Sequence, residues 1–351
     1  MKSAPVITFL FFALFIFAAS SQTRSWKEAV TGRVMEGEFV EADGSLVTLR
    51  VKGQVHTMPL TRLCEEDQAW IRQKTGKEAA PVPVGTTSPP GELKIAGVVI
   101  TPGHKVDFET PFSESLRAKL KKRLGGVKDP YTDIDMTRAS VGLFVPVGFD
   151  PTKSWPVMII SVTDTGRSQG KFPSSVNSMG AYIQAAKSQK WVLLAADCPG
   201  HLTPGLPYNR CALAEAALEA LVDAWPASKQ WPIATAGYSG GAKYSGWLGG
   251  WFSESGRNVL GMFMGGCNED MASRALQELR PSKKVFNRTK VFLSIGSRDE
   301  IAGPDKAETV VKSLKRSGFD DIQSVVFDGV HELRRDHLMT AMDWFTENTP
   351  Q

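Results

Sequence analysis

Residues 232–251 read PIATAGYSGGAKYSGWLGGW, an apolar run of strand length that stops at Ser239 and gives way to a stretch dominated by small residues. At the junction, Gly237-Tyr238-Ser239-Gly240-Gly241 has a glycine two places before the serine and another two places after it. A serine held on a sharp strand-to-helix turn has a strained backbone and tolerates only small neighbours. Its hydroxyl then stands clear of the sheet, and the amide that follows faces the position of a developing oxyanion. Ser239 is therefore the candidate nucleophile and the Gly240 N–H a candidate oxyanion donor. The same spacing recurs at Gly166-Arg167-Ser168-Gln169-Gly170. That copy runs on into QGKFPSS, where Pro173 and the two serines read as loop, so Ser168 is set aside. The helix after Ser239 carries Gly240, Gly241, Gly246, Gly249 and Gly250, each costing about 1 kcal/mol relative to alanine in a helix interior. Packing has to hold it, with Tyr244, Trp247, Leu248 and Trp251 as the anchors.

On both sides of this turn, apolar strand-length runs alternate with amphipathic helix-length segments. GLFVPV, PVMIISV, WVLLAAD, PIATAGY, VLGMFMG, KVFLSIG and SVVFDGV read as strands; SMGAYIQAAKS, LAEAALEALVDAW, SRALQELR, KAETVVKSLKRSG and HLMTAMDWFTE read as helices. Such alternation predicts an α/β domain, a mostly parallel sheet covered by helices on both faces. Chemistry is then expected at the carboxyl ends of the strands.

A serine hydroxyl needs a base, and imidazole has the right basicity. Of the five histidines, His56, His104 and His201 precede Ser239. His331 and His337 follow it, in the order expected for a serine nucleophile on an α/β fold of this kind. His331 comes directly after SVVFDGV on a loop opened by Gly329, whereas His337 begins the last helix, so His331 is the candidate base. Asp299, in GSRDEIA after KVFLSIG, is the candidate acid that holds the imidazole. The competing carboxylates are Glu300 beside it, Asp270 after an earlier strand and Asp328, which is too close to His331 to orient it. The competing reading of Asp299 is an N-cap of the helix that follows, since Asp is a preferred capping residue. A second oxyanion donor is expected from the turn after PVMIISV, with Thr163 and Asp164 favoured.

Together GYSGGA, GSRDEIA and FDGVHE resemble the α/β-hydrolase superfamily, in particular its secreted esterases near the feruloyl-esterase-like and polyhydroxybutyrate-depolymerase-like proteins. The resemblance runs from about Val141 to the C-terminus. It implies a serine hydrolase that cleaves a small-molecule or polymer-linked ester through an acyl-enzyme, without a cofactor. The chain departs from many members by carrying Ser161-Val162-Thr163-Asp164 where they have His-Gly. Two other readings stay open: a serine peptidase on the same fold, and an inactive hydrolase-like binding protein that acts through its N-terminal part.

That part is a separate module. Between residues 22 and 75 the short alternating segments EGEFVEA, SLVTLRV and QVHTMPL are separated by Asp43-Gly44 and Lys52-Gly53 turns and followed by the brief helix CEEDQAWIRQ, which predicts a small antiparallel β module. Arg24-Ser25-Trp26, Gly32, EGEFV, Gly44, Val47-Thr48-Leu49, Met58-Pro59-Leu60, Leu63 and Glu66-Asp67 resemble the first Sla-one homology domain. The resemblance implies an SH3-like barrel and a protein or peptide contact. Residues 76–93 are rich in Pro, Gly and Thr and read as a linker, leaving 94–351 for the hydrolase-like domain.

At the start, Lys2 precedes an apolar run from Val6 to Phe17 that ends in Ala18, Ala19, Ser20 and Ser21. Residues 1–21 read as a cleavable export signal, so the mature chain is expected to be secreted or periplasmic, without a stable membrane span. Cys64, Cys198, Cys211 and Cys267 would then meet an oxidising compartment, and Cys198 with Cys211 is the first pair to expect as a disulfide. No CxxC or HxxxH spacing supports a metal site. With 42% hydrophobic and 22% charged residues and a net charge of +4 spread along 351 residues, the chain has an ordinary globular composition. It lacks the basic stripe that would track nucleic acid.

Overall fold

The computed structural model describes residues 23–27, 34–42, 46–51, 53–60, 63–75, 93–163 and 173–347. The export signal over 1–21, linker residues 76–92, Asp164 and Ser168 lie outside the described residues. The chain divides into two units, Met1–Ser88 and Pro89–Gln351.

In the first unit, β1 (Thr23–Lys27), β2 (Val34–Ala42), β3 (Leu46–Val51) and β4 (Gln54–Pro59) form an antiparallel sheet in chain order, followed by α1 (Glu65–Thr75). Trp26, Val47, Leu49, Leu60, Leu63 and Ile71 make its core. Asp67, at the start of α1, is buried and closes the unit. It accepts hydrogen bonds from the Arg24 guanidinium at 2.6 Å, the Lys27 N–H at 2.7 Å and the Cys64 thiol at 3.4 Å. Arg24 also lies over the Trp70 ring, 4.8 Å from its centroid.

The second unit begins with a ribbon of β5 (Lys94–Ile95) and β6 (Val98–Val99). It continues through β7 (Lys105–Pro111), α2 (Glu114–Leu124), β8 (Arg138–Phe144), β9 (Val157–Ser161), α3 (Ser175–Ser178), α4 (Gly180–Gln189), β10 (Val192–Asp197) and α5 (Pro207–Ala224). After these come β11 (Ile233–Tyr238), α6 (Gly240–Glu254), β12 (Val259–Gly265), α7 (Met271–Leu279), α8 (Lys283–Phe286), β13 (Lys290–Gly296), α9 (Pro304–Arg316), β14 (Ile322–Phe327) and α10 (Arg335–Thr346). The eight strands of the large sheet lie in the order β14-β13-β12-β11-β9-β10-β8-β7. Strands β9 to β14 are parallel, and β8 runs antiparallel between β10 and β7. This is the α/β-hydrolase arrangement expected from the sequence.

Period-two alternation sends the strand side chains to two separate cores. Val157 and Ile159 of β9 join the core built with α5 and α6, while Met158 and Ile160 join the one built with α4 and α10. The glycines of α6 do more than weaken a helix. A Cβ on Gly246 would press on the backbone of Ala272, one on Gly249 on the Met262 sulfur and one on Gly250 on the Ala275 methyl. Their absence lets α6 settle onto β12 and α7, and burial of Trp247, Leu248 and Trp251 holds it there, with Tyr244 half-buried.

The two longest elements outside the alternation read from the sequence are β7 and α2. β7, KVDFETP, pairs only with β8 at the sheet edge and buries just Phe108 and Thr110, so its charged residues mask the apolar signal. α2, ESLRAKLKKRL, buries only Leu116 and Leu120; it is bounded by the Ser113 N-cap and by Gly125 in the left-handed conformation. The expected disulfide is corrected by the structure. Cys198 and Cys211 are both buried and form no disulfide with each other, Cys198 lying just after β10 with its sulfur 3.5 Å from that of Met136, and Cys211 inside α5 among core residues.

Strand order also fixes where a site can form. The chain passes from β9 to β10 on one side and then returns to β11 on the other. The carboxyl ends of β9 and β11 therefore border the crevice where the direction of winding reverses, the favoured place for a ligand in an open α/β sheet.

Candidate active site

Ser239 stands at this reversal, between β11 and α6, with φ 58° and ψ −125°. This is a strained conformation for a residue with a side chain, and the surrounding backbone enforces it. The Ser239 N–H donates to the Gly265 carbonyl at 2.8 Å, tying the turn to the end of β12. A Cβ at Gly237 would collide with the Gly241 carbonyl, and one at Gly241 with the Ser161 carbonyl. The spacing of the two glycines around the serine is therefore a steric requirement, since the turn folds back on itself and lies directly on the end of β9.

His331 and Asp299 come from the loops after β14 and β13. Those loops are joined by backbone hydrogen bonds that extend the ladder past the strands, Ser297 N–H to Phe327 O and Arg298 N–H to Gly329 O, both 2.8 Å. His331 Nε2 lies 2.9 Å from Ser239 Oγ and His331 Nδ1 2.7 Å from Asp299 Oδ2. With the proton on Nδ1 against the carboxylate, Nε2 is left to accept from the serine hydroxyl. The histidine side chain is 18% exposed and the aspartate 1%, so the imidazole is open to solvent while the carboxylate stays covered.

Asp299 does not cap α9, whose N-cap is Gly303; its two oxygens are divided between the turn before that helix and the imidazole. Oδ1 accepts from the Ile301 and Ala302 N–H groups at 2.9 and 2.8 Å, holding the turn that leads to α9, while Oδ2 takes His331. Burial pushes the carboxyl upward in pKa, but the hydrogen bonds from His331, Ala302 and Ile301 outweigh it and hold it below the usual aspartate value. The imidazole is packed on one side by Tyr238, with ring centroids 4.7 Å apart. On another side lies Gly266, at φ 57°, where a Cβ would sit 2.8 Å from His331 Cε1.

The remaining residues weighed from sequence have other tasks. Asp270 caps α7 by accepting from Ser273 N–H, Asp328 is paired with Arg298 on the surface, and Glu300 is exposed. His337, in the first turn of α10, has its Nδ1 2.9 Å from Ser294 Oγ, and burial holds its pKa below the usual histidine value. Thr163 lies directly against Gly240: a Cβ on that glycine would be 3.0 Å from Thr163 Cα and closer still to its side chain. Two further residues at the site carry a weaker signal in the sequence. Gly266 follows the β12 run VLGMFMG, and a second glycine directly after a strand-end glycine was its signal. Arg210 is a buried cation set among Cys211, Ala212 and Leu213, and its presence in so apolar a stretch was the signal.

No family model matches the chain, and no curated protein matches its sequence. Solved structures similar to it include an esterase from Pyrococcus furiosus, 13% identical, covering 70% of this chain and 90% of that one with a TM-score of 0.43. An α/β serine hydrolase homologue from Coxiella burnetii is 15% identical, covering 64% and 98% with a TM-score of 0.43. A thermophilic esterase from the planctomycete Thermogutta terrifontis is 14% identical, covering 63% and 91% with a TM-score of 0.42. Neither the identities nor the scores assign an activity. No helix among the described residues is long and apolar enough to cross a membrane.

Proposed function

We propose that this chain is an exported serine hydrolase that cleaves a carboxylic ester through an acyl-enzyme. The observation that carries the reading is the unbroken relay Asp299–His331–Ser239, at 2.7 and 2.9 Å, ending on a serine in a strained turn at the sheet's reversal. Ser239 Oγ attacks the ester carbonyl carbon as its proton passes to His331 Nε2. The carbonyl oxygen, now an oxyanion, takes hydrogen bonds from the N–H groups of Gly240 and Thr163. Collapse breaks the bond to the alcohol oxygen, which leaves with the proton from His331. Water then repeats the sequence on the acyl-enzyme, releasing the acid and restoring the serine. Asp299 remains a carboxylate throughout and stabilises the imidazolium.

The basic and apolar start of the chain supports export, and the N-terminal unit is read as a module for protein or peptide contact. An ester rather than a peptide is favoured by analogy at the level of fold. A fluorophosphonate probe with peptide mapping of the adduct tests the reading. Modification of Ser239, abolished in Ser239→Ala, is expected; a folded wild-type protein that takes up no probe at Ser239 would overturn it. Matched ester and amide substrates then separate esterase from peptidase.

A further inference from the structure

Arg210, in the first turn of α5, is 5% exposed. Its Nε donates to the Pro204 carbonyl at 2.9 Å, and its Nη1 donates to the Val162 carbonyl and lies 3.4 Å from Ser161 Oγ. The guanidinium lies on the Tyr244 ring, 3.6 Å from its centroid, and the Tyr244 hydroxyl donates to the Gly205 carbonyl at 3.0 Å. One cation thus joins the end of β9, the loop before α5 and the second turn of α6. Placing a charge in a protein interior costs several kcal/mol unless its surroundings are shaped to receive it, and here the receiving groups converge on the strand end next to Ser239.

We infer that Arg210 is a positioning residue for the second oxyanion donor, fixing the peptide between Val162 and Thr163 so that the Thr163 N–H faces the reacting carbonyl oxygen. The inference rests on the hydrolase reading above. In a trans peptide the C=O and N–H point in opposite directions within one plane. A guanidinium holding the Val162 oxygen from one side therefore turns the Thr163 N–H to the other. Thr163 lies against Gly240, the residue that carries the first donor. A charge-assisted hydrogen bond to the carbonyl also polarises that peptide and strengthens its N–H as a donor. The Ser161-Val162-Thr163 stretch has no glycine of its own, and the clamp comes from α5.

A double-mutant cycle tests this, with p-nitrophenyl butyrate turnover and fluorophosphonate labelling of Ser239 as readouts. Arg210→Met keeps the side-chain length and removes every donor. It is expected to lower kcat and the labelling rate by about 10- to 100-fold, less than the loss of a whole oxyanion donor, while KM changes by no more than about threefold. Thr163→Pro removes the N–H itself, and adding Arg210→Met to it is expected to cost no more than about twofold. Arg210→Lys, which keeps a cation and a donor, is expected to recover part of the rate; it also serves if the methionine variant does not fold. Equal losses from Arg210→Met with and without Thr163→Pro would overturn the inference, as would labelling of Arg210→Met at the wild-type rate. A wild-type protein whose Ser239 takes no label would remove the hydrolase reading, and this inference with it.

Discussion

Both units contain a buried aspartate that accepts two or more hydrogen bonds and titrates below the usual carboxylate range. In the small unit Asp67 holds Arg24, the Lys27 N–H and the Cys64 thiol; in the large one Asp299 holds His331 and the N–H groups of Ile301 and Ala302. In each case burial alone would raise the pKa and the donors reverse it. What differs is the side-chain partner. Arg24 is a permanent cation whose further contacts are the rings of Trp26 and Trp70, so that network only fastens β1 to α1. His331 has a second nitrogen, and once Nδ1 is fixed by the carboxylate, Nε2 faces Ser239. The same carboxylate device makes a structural lock in one unit and an oriented imidazole facing a serine hydroxyl in the other, because only imidazole has a second ring nitrogen to carry the orientation on.

The strongest way to break this comparison is Asp299→Asn. An asparagine oxygen can still accept from Ile301 and Ala302, but its amide then faces Nδ1 and forces the proton onto Nε2. Ester turnover should fall by about 1,000- to 10,000-fold while the melting temperature moves by only a few degrees. A loss below about tenfold would show that Asp299 serves the turn alone.

Asp67→Asn should invert the pattern, costing about 2 kcal/mol of stability in the N-terminal unit and leaving turnover unchanged. Its pH dependence follows from the direction of the shift. The depressed folded pKa means that the charged Asp67 contributes stability above its unfolded pKa of about 3.9, and that this contribution is lost as the pH falls through the lower folded value. The difference between wild type and variant in urea unfolding should therefore be full at pH 6 and shrink below about pH 4. A difference independent of pH would mean that shape rather than charge holds Arg24 and Lys27.

The smallest expected effect concerns His337, the other histidine that follows Ser239 in the chain. Its folded pKa is depressed by burial, so between that value and the unfolded pKa of about 6.5 the unfolded chain binds the extra proton. Stability should decline as the pH falls through this window and level off below the folded pKa, a slope that His337→Gln removes without altering the pH profile of turnover. Measurements of melting temperature from pH 7.5 to 5 would show it.

The small-residue turn around Ser239 was legible because part of its demand is local: Gly237 is dictated by the Gly241 carbonyl four residues on, whereas Gly241 is required by the Ser161 carbonyl of β9. His331 and Asp299 were legible by a weaker rule, chain order and position after apolar strands, which named the residues without showing that Asp299 splits its two oxygens between a turn and a base. β7 and α2 escaped because an edge strand and an outer helix bury too little to leave an apolar pattern. The cysteines misled because spacing around a loop says nothing of which way two thiols point, and Cys211 points into the core of α5.

By itself, then, the sequence determined the alternation of strand and helix, the serine turn and the order in which Asp299 and His331 follow it, all of which are written in short local patterns and their sequence along the chain. Only the tertiary structure decided the strand order that brings Ser239 to His331 across 92 residues of chain, the placing of Thr163 against Gly240 and the burial of Arg210 under the end of β9. The physical reason is that these relations depend on packing between segments distant in the chain. Local steric and periodic preferences constrain each segment, while the lowest free energy of the assembled core chooses which segments meet.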